Sequence, residues 1–409
     1  YYKTKILNIE DKTNKNHELT LYTDNLNFSN KYFQNKLLNK TQEELEELFI
    51  KLTSQLKFNW YEIEKTDDLD EYVIFETMNN RGKPLSILEI LKNRLIYITT
   101  LLDNDNDDKN KLRDDINDVW KTIFGYLGKD KKMDEDLFLR FHIAMYWGTS
   151  KIKDAEFHKD FLLNRFFTIQ KVFNEDKDNY KSAYLEQNNL IEYFNILNDI
   201  KRINTNKNDL KNICTKIYNS INTLQSLLSN NIDFKFHWES LDEYIKCYFD
   251  YDETIINDEW EYGYYVTSIE KNINNVNDTI NNNYLHYDLI ENYISSLKDS
   301  IKSYYFILNP QKSNYDSDIK YWLEKINIFN SNDIMPILVS IFNHYNKKDK
   351  IFIIAILQNI ENYLFVKKYC FTRSQQWLNQ NYYNSIYEYN NTQNIEPLSN
   401  QLNDLIYDN

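Results

Sequence analysis

One segment of the chain combines the residue types that bind phosphate groups in proteins. The candidates for contact with a phosphate or a nucleotide are Asn79, Arg81, Gly82, Ser86 and Lys92. An arginine grips phosphate through two parallel hydrogen bonds, a lysine acts as a point charge, and an asparagine amide can bond to a base or sugar. Glu76 is the supporting residue, since its carboxylate would either orient Arg81 or hold Mg²⁺. These residues predict an anion site in segment 76–92.

Local structure signals place these residues at a turn that leads into a helix. A β-prone run at 72–75 is followed by the polar turn 79–82, by Pro84 and then by a helix start. Ser86 and Glu89 have the spacing of a capping box, in which a hydroxyl and a carboxylate satisfy two amide donors of the first turn. Because helix N-termini and nearby cations both attract anions, the arrangement suits a phosphate.

The same spacing also has a purely structural interpretation, and spacing alone favours it. Gly82 would then only supply a positive φ, Asn79 would cap the turn, and Glu76 would form an ion pair with Arg81. Lys92 would extend its ammonium group to water from the edge of a buried helix face. The resemblance of these residues to a known family, and not their spacing, favours the functional interpretation.

Composition predicts a mainly α protein. The chain has 409 residues, 42% of them hydrophobic and 16% aromatic, which is enough for sizeable cores. Only 5 Gly and 4 Pro leave few tight turns, so we expect long helices with polar connections. The net charge of −14 argues against a broad basic face for nucleic acid.

Periodicity divides the chain into a small α+β unit and a helical body. We predict the α+β unit at 1–103, a helical domain at 104–275 and a C-terminal helical region at 284–409. Strands are expected at 5–9, 19–22, 58–63 and 72–75, and an amphipathic helix with a buried stripe follows a second capping box at Thr41. Further helices are predicted at 86–102, 112–128, 134–148, 159–173, 180–203, 208–229, 284–308, 333–345 and 349–369.

Three scattered cysteines and the lack of a long apolar run favour a cytoplasmic protein with reduced thiols. Cys214, Cys247 and Cys370 form no C-x-x-C pair, and no run of about 18 apolar residues predicts a membrane span. The chain begins at Tyr1 rather than Met, so we expect it to be part of a longer protein.

Arg140 lies in a mostly apolar helix and is expected to have a carboxylate partner.

The string FETMNNRGKPLSILEILKNRL closely resembles the second signature of the GmrSD-type restriction family, in its GmrS-like N-terminal domain. The downstream segment VWKTIFGYLGKDKKMDEDLFLRFHIAMYWG is similar to the helical region that follows in these proteins. The resemblance implies a ParB/sulfiredoxin-like fold that binds and hydrolyses a nucleoside triphosphate with Mg²⁺. It also implies DNA as a partner, specifically modified phage DNA, and is compatible with a homo-oligomer.

Two signatures of the family are missing from the sequence: the D-G-Q-Q-R string and the HNH nuclease motif. The resemblance therefore implies part of a nucleotide-dependent antiphage restriction protein whose catalytic residues are unknown, so whether the chain is itself an enzyme stays open. One alternative is a non-enzymatic helical module that binds modified DNA or a partner protein. Another is a defence subunit whose nuclease is on a separate chain.

Overall fold

In the computed structural model, every regular element of the described residues is a helix. The structure describes residue 6 and residues 20–57, 85–130, 133–149, 155–203, 207–229, 273–345, 350–369, 380–394 and 396–407. The first helices are α1 (Leu21–Leu38), α2 (Gln42–Ile50), α3 (Ile87–Leu101), α4 (Asn106–Leu127), α5 (Glu135–Trp147), α6 (Ala155–Lys159), α7 (Ile169–Val172), α8 (Lys177–Ile203) and α9 (Lys207–Leu228). The remaining ones are α10 (Tyr287–Leu308), α11 (Ser317–Ile328), α12 (Met335–Asn343), α13 (Lys350–Tyr369), α14 (Gln380–Thr392) and α15 (Glu396–Tyr407).

The mainly α prediction is confirmed, whereas the α+β unit at 1–103 finds no support among the described residues. The predicted strand at 19–22 is wrong at its C-terminal end, because Leu21 and Tyr22 begin α1 behind a Thr20 capping box. The runs at 58–63 and 72–75, and that at 5–9 apart from Ile6, lie outside the described residues. The hydroxyl and amide groups of Thr20 and Thr23 bond to each other, and this local pairing overrides the β propensity.

Most helices with a strong apolar period have the predicted limits to within three residues, although α4 begins at Asn106, six residues before its predicted start. The helices α3, α4, α5, α8, α9, α10, α12 and α13 confirm eight of the predicted segments. The predicted helix at 159–173 is instead broken into α6, a π-helical turn (Asp160–Phe166) and α7. The predicted buried stripe of α2 is also wrong, since this helix has no buried residue and Phe49 is 66% exposed.

Contacts between α-carbons divide the chain into two compact units. The first unit contains the described residues of Tyr1–Tyr97, Asn110–Leu162 and Glu291–Asn409. The second contains those of Ile98–Lys109 and Leu163–Ile290. In the first unit α5 packs against α12 and α14, and in the second α8 packs against α9.

The core of the first unit is built around the apolar faces of α3 and α4. Leu88, Leu91 and Leu95 of α3 are fully buried, at the spacing of one helix face. Trp120 of α4 is 1% exposed, and its indole Nε1 donates a hydrogen bond to the carbonyl of Leu88 at 3.0 Å. Burial of an aromatic ring with its one polar atom satisfied fixes the position of α4 beside the start of α3.

Two glycines allow close approaches in the first unit. Gly148 ends α5 in the left-handed region at φ 60°, as predicted, and the Asp134 side chain caps the other end of the helix. Gly128 follows α4, and a Cβ there would lie 2.5 Å from the ring of Tyr22. Glycine is thus needed at Gly128 by the packing of α1, not by its backbone angles.

None of the helices formed by the described residues combines the length and the apolarity that crossing a lipid bilayer requires.

Candidate functional site

The structure places two of the predicted phosphate-binding residues, both on α3 or at its start. Ser86 immediately precedes α3, and Lys92 lies within its second turn. Glu76, Asn79, Arg81 and Gly82 lie outside the described residues. The described residues therefore contain only the helical half of the predicted site.

Ser86 forms the capping box that its spacing from Glu89 predicts. The Glu89 amide donates to the Ser86 hydroxyl at 3.2 Å, and the Ser86 amide donates to the Glu89 carboxylate at 2.9 Å. The box satisfies two amide donors at the start of α3 and fixes the direction in which the chain enters the helix. The hydroxyl proton of Ser86 remains able to bond to a further acceptor.

A carboxylate from α5 occupies the N-terminus of α3. The amide of Ile87 donates to Asp136 Oδ1 at 3.0 Å. Burial raises the pKa of Asp136, while the backbone N–H groups of Ile87 and Leu88 act in the opposite direction. The amides that would attract a phosphate to this helix therefore bind an anion that the chain itself supplies. A phosphate near α3 would have to be held mainly by side chains.

Lys92 is half-buried, and its ammonium group has no hydrogen bond or ion pair among the described residues. Burial lowers the pKa of this group, which is the effect expected when a cation leaves water without gaining an anion. An added anion would compensate for this cost. Lys92 thus meets one requirement of an anion-binding residue. Its charge is partly removed from water and has no anionic partner among the described residues.

Acidic side chains surround the start of α3. Burial, followed by the nearby carboxylates of Glu135 and Glu89, raises the pKa of the Tyr22 hydroxyl to about 12. Arg140 of α5 lies close enough to Asp136 for its charge to lower the pKa of that carboxyl group. Arg140 therefore has a carboxylate nearby, but among the described residues it forms no ion pair and its Nε atom has no hydrogen bond.

A second polar site, which sequence reasoning missed, lies between α4 and α10. It is a cleft of about 350 Å³ lined by Lys121, Lys129 and Lys298, together with Gly125 and Tyr126. Lys121, Gly125 and Lys129 are spaced four residues apart, which places them on one side of α4 and its C-terminal extension. This four-residue spacing is visible in the sequence and could have indicated a common helix face. Lys298 is distant in sequence, and only the fold brings it to the cleft.

A buried histidine lies behind these surfaces. Burial lowers the pKa of His142 to about 3, and its Nε2 atom lies 3.0 Å from the hydroxyl of Ser296. The imidazole also packs against the rings of Tyr146 and Tyr293, with centroids 5.5 and 5.1 Å away. A neutral, enclosed histidine of this kind stabilises the core and is poorly placed for proton transfer to a ligand.

No protein family, curated protein or solved structure matches this chain in the comparisons made with known proteins.

Proposed function

We propose that this chain is the nucleotide-responsive part of an antiphage DNA restriction protein. Binding and hydrolysis of a nucleoside triphosphate with Mg²⁺ would regulate a DNA nuclease that acts on modified phage DNA in the cytoplasm. We further propose that the chain contains the ParB/sulfiredoxin-like α+β unit near its N-terminus. The observation that carries it is the string FETMNNRGKPLSILEILKNRL, which leads into a capped helix with a half-buried lysine, Lys92, that has no anionic partner among the described residues.

Side chains rather than helix amides would make the phosphate contacts. Asp136 already accepts the hydrogen bond of the Ile87 amide, so the positive end of α3 is partly neutralised. Arg81 would grip a phosphate with two hydrogen bonds, and Lys92 would add a point charge from the helix. Asn79 would bond to the base or sugar, and Gly82 would let the turn approach the ligand closely.

The family resemblance is the basis for proposing Mg²⁺. Within the described ranges, no group of three His, Cys, Asp or Glu side chains could hold a metal ion. In nucleotide sites Mg²⁺ is bound mainly by phosphates and waters, with one or two carboxylates from the protein. Glu76 is the carboxylate that we assign to this contact, or to the orientation of Arg81.

A nucleotide titration of the full-length protein tests the proposal. Labelled ATP and GTP are titrated into the intact protein and into Arg81→Ala and Lys92→Gln variants, with Mg²⁺ present. Loss of a charged hydrogen-bond partner should weaken binding about tenfold or more in each variant. Lys111→Gln is the matched control, since Lys111 is an exposed lysine paired with Glu291 at 3.4 Å. Its affinity for the nucleotide should not change.

The alternative function is that of a non-enzymatic helical module that binds modified DNA or a partner protein. The occupied N-terminus of α3 favours it, because Ser86, Glu89 and Asp136 already satisfy the amide groups of the first turn. Failure of the intact protein to bind either nucleotide would contradict the main proposal and support this module. A defence subunit with its nuclease on a separate chain would still bind the nucleotide, but would cleave DNA only when that second chain is added.

A further inference from the structure

We infer that the cleft between α4 and α10 is a binding site for a phosphate ester, separate from the predicted site in segment 76–92. Trp120, whose side chain contacts the start of α3, lies roughly 140° around α4 from Gly125 and roughly 160° from Thr122, at about 100° per residue. The cleft thus opens on the other side of α4 from the start of α3. The inference does not depend on the proposed restriction function.

Two of the three lysines that line the cleft have charges that no described residue neutralises. Within the part of the chain that the structure describes, neither Lys121 nor Lys298 makes a hydrogen bond or an ion pair. By contrast, Lys302 and Lys367 of the same unit pair with Asp299 and Asp333 at 3.2 and 2.6 Å.

The chain has 62 acidic residues against 48 Lys and Arg, so a carboxylate partner is available to most lysines. Asp118 is the one carboxylate among the lining residues, against three ammonium groups. A concave surface with an excess of one charge raises the local concentration of ions of the opposite sign.

Gly125 provides an independent reason to place a ligand in the cleft. It lies inside α4, where glycine is unfavourable because it loses more backbone entropy than alanine. A Cβ at Gly125 would meet no atom within 4 Å, and its φ is not in the left-handed region. Neither packing nor backbone angles therefore require a glycine at position 125, in a chain that has only 5 glycines. The missing side chain instead leaves the floor of the cleft open, which permits close approach of a ligand to the helix.

Lys129 and Tyr126 provide preorganised groups at one end of the cleft. The ammonium group of Lys129 lies 5.3 Å from the ring centroid of Tyr126 and 5.7 Å from that of Tyr305. The two aromatic rings, with centroids 5.2 Å apart, help to fix the position of the ammonium group at the end of the cleft. The Tyr126 hydroxyl is a further donor to an acceptor oxygen.

The lining residues favour a phosphate over a carboxylate, and a small ligand over a double helix. A phosphate ester carries about two negative charges, against one for a carboxylate, and therefore balances the three lysines of the cleft better. Several lysine point charges suit the three oxygens of a phosphate ester. The volume of about 350 Å³ is near the lower limit of pockets for small molecules. A phosphate ester of this size is either a free nucleotide or the terminal phosphate of an oligonucleotide.

Calorimetric titration of the full-length protein with three probes tests this inference. The probes are inorganic pyrophosphate, ATP, and a short single-stranded oligonucleotide with or without a 5′-phosphate. Lys121→Gln and Lys298→Gln should each weaken binding about tenfold or more, since each removes a charged hydrogen-bond donor. Gly125→Leu should block the cleft while leaving the fold intact, because its side chain enters open space. Lys302→Gln, one turn along α10 from Lys298, should bind like the intact protein.

The pattern of results separates the sources of the phosphate and separates this site from the one in segment 76–92. Tighter binding of ATP identifies a free nucleotide, whereas dependence on the 5′-phosphate identifies an oligonucleotide end. Arg81→Ala and Lys92→Gln should leave the affinity of the cleft for these probes unchanged. Loss of binding at one site can therefore be distinguished from loss of binding at the other. The inference is overturned if no probe binds at about millimolar concentration, or if Lys121→Gln and Gly125→Leu both bind as well as the intact protein. Thermal unfolding of each variant verifies that its fold is retained.

Discussion

On one face of α4, Trp120 is 1% exposed and its single polar atom bonds to Leu88; on the other face, Lys121 and Gly125 line an open cleft. The inward face is buried, and its apolar side chains are those of Leu112, Ile116, Val119, Trp120, Ile123 and Leu127. The outward face has the Lys121 ammonium group, which has no carboxylate partner among the described residues, and a glycine that packing does not require. The difference shows that one helix can serve both as a structural support and as the wall of a site.

Replacement of Trp120 should have the largest effect on stability. Trp120→Ala would leave a cavity and remove the hydrogen bond to Leu88, so the free energy of unfolding should fall by about 3–5 kcal/mol. Lys121→Ala, the next residue on the exposed side, should change it by about 0.5 kcal/mol or less. Urea unfolding followed by circular dichroism measures both. Similar losses in the two variants would show that the faces do not differ as described.

Acid should destabilise the interior through His142. Since burial lowers its pKa from 6.5 to about 3, the unfolded state binds the proton more tightly than the folded state does. Stability contributed by the neutral imidazole is therefore complete above pH 6.5 and is lost as the pH falls towards 3. The loss is on the order of 1 kcal/mol per pH unit, or roughly 3 kcal/mol at pH 4.5.

The variant His142→Gln isolates this effect from the titration of other groups. Its free energy of unfolding should depend less steeply on pH between 6.5 and 4 than that of the intact protein. Urea unfolding at several pH values gives both slopes. Equal slopes would mean that His142 is accessible to protons in the folded state, contrary to its complete burial.

Removal of the Asp136 carboxylate should destabilise the start of α3 to an intermediate extent. Asp136→Ala leaves the Ile87 amide without its acceptor, which should cost about 1–2 kcal/mol, as for other lost helix caps. Asp136→Asn keeps an acceptor oxygen, so its loss should be smaller, and chemical unfolding of both variants measures the difference. If Asp136→Ala is as stable as the intact protein, the carboxylate does not cap the helix in solution.

Local sequence patterns predict the helices and the cap of α3, but not the contacts that give the sites their chemistry. Ser86 and Glu89 are three residues apart, so their capping box is visible in the sequence. Asp136 is 49 residues from Ile87, and no local pattern relates them. The helix α1 was missed because it has no buried residue and hence no clear apolar period.

The cleft is a second feature that local sequence patterns do not predict. The four-residue spacing of Lys121, Gly125 and Lys129 is present in the sequence, yet it is also typical of an ordinary solvated helix face. Only packing of α10 beside α4 adds Lys298 and makes the surface concave. The candidate residues Asn79 and Arg81 lie outside the described residues and remain predictions.

The smallest expected effect, and the one that separates the two faces most cleanly, is that of Gly125→Ala. Alanine is the better residue inside a helix, and its methyl group meets no atom within 4 Å, so the variant should be more stable by about 0.5–1 kcal/mol. Gly128→Ala is the control, because the same methyl group would lie 2.5 Å from the ring of Tyr22 and should destabilise. Urea unfolding distinguishes the opposite signs. If Gly125→Ala is instead destabilising, packing requires the glycine, and its position in the cleft no longer argues for a ligand.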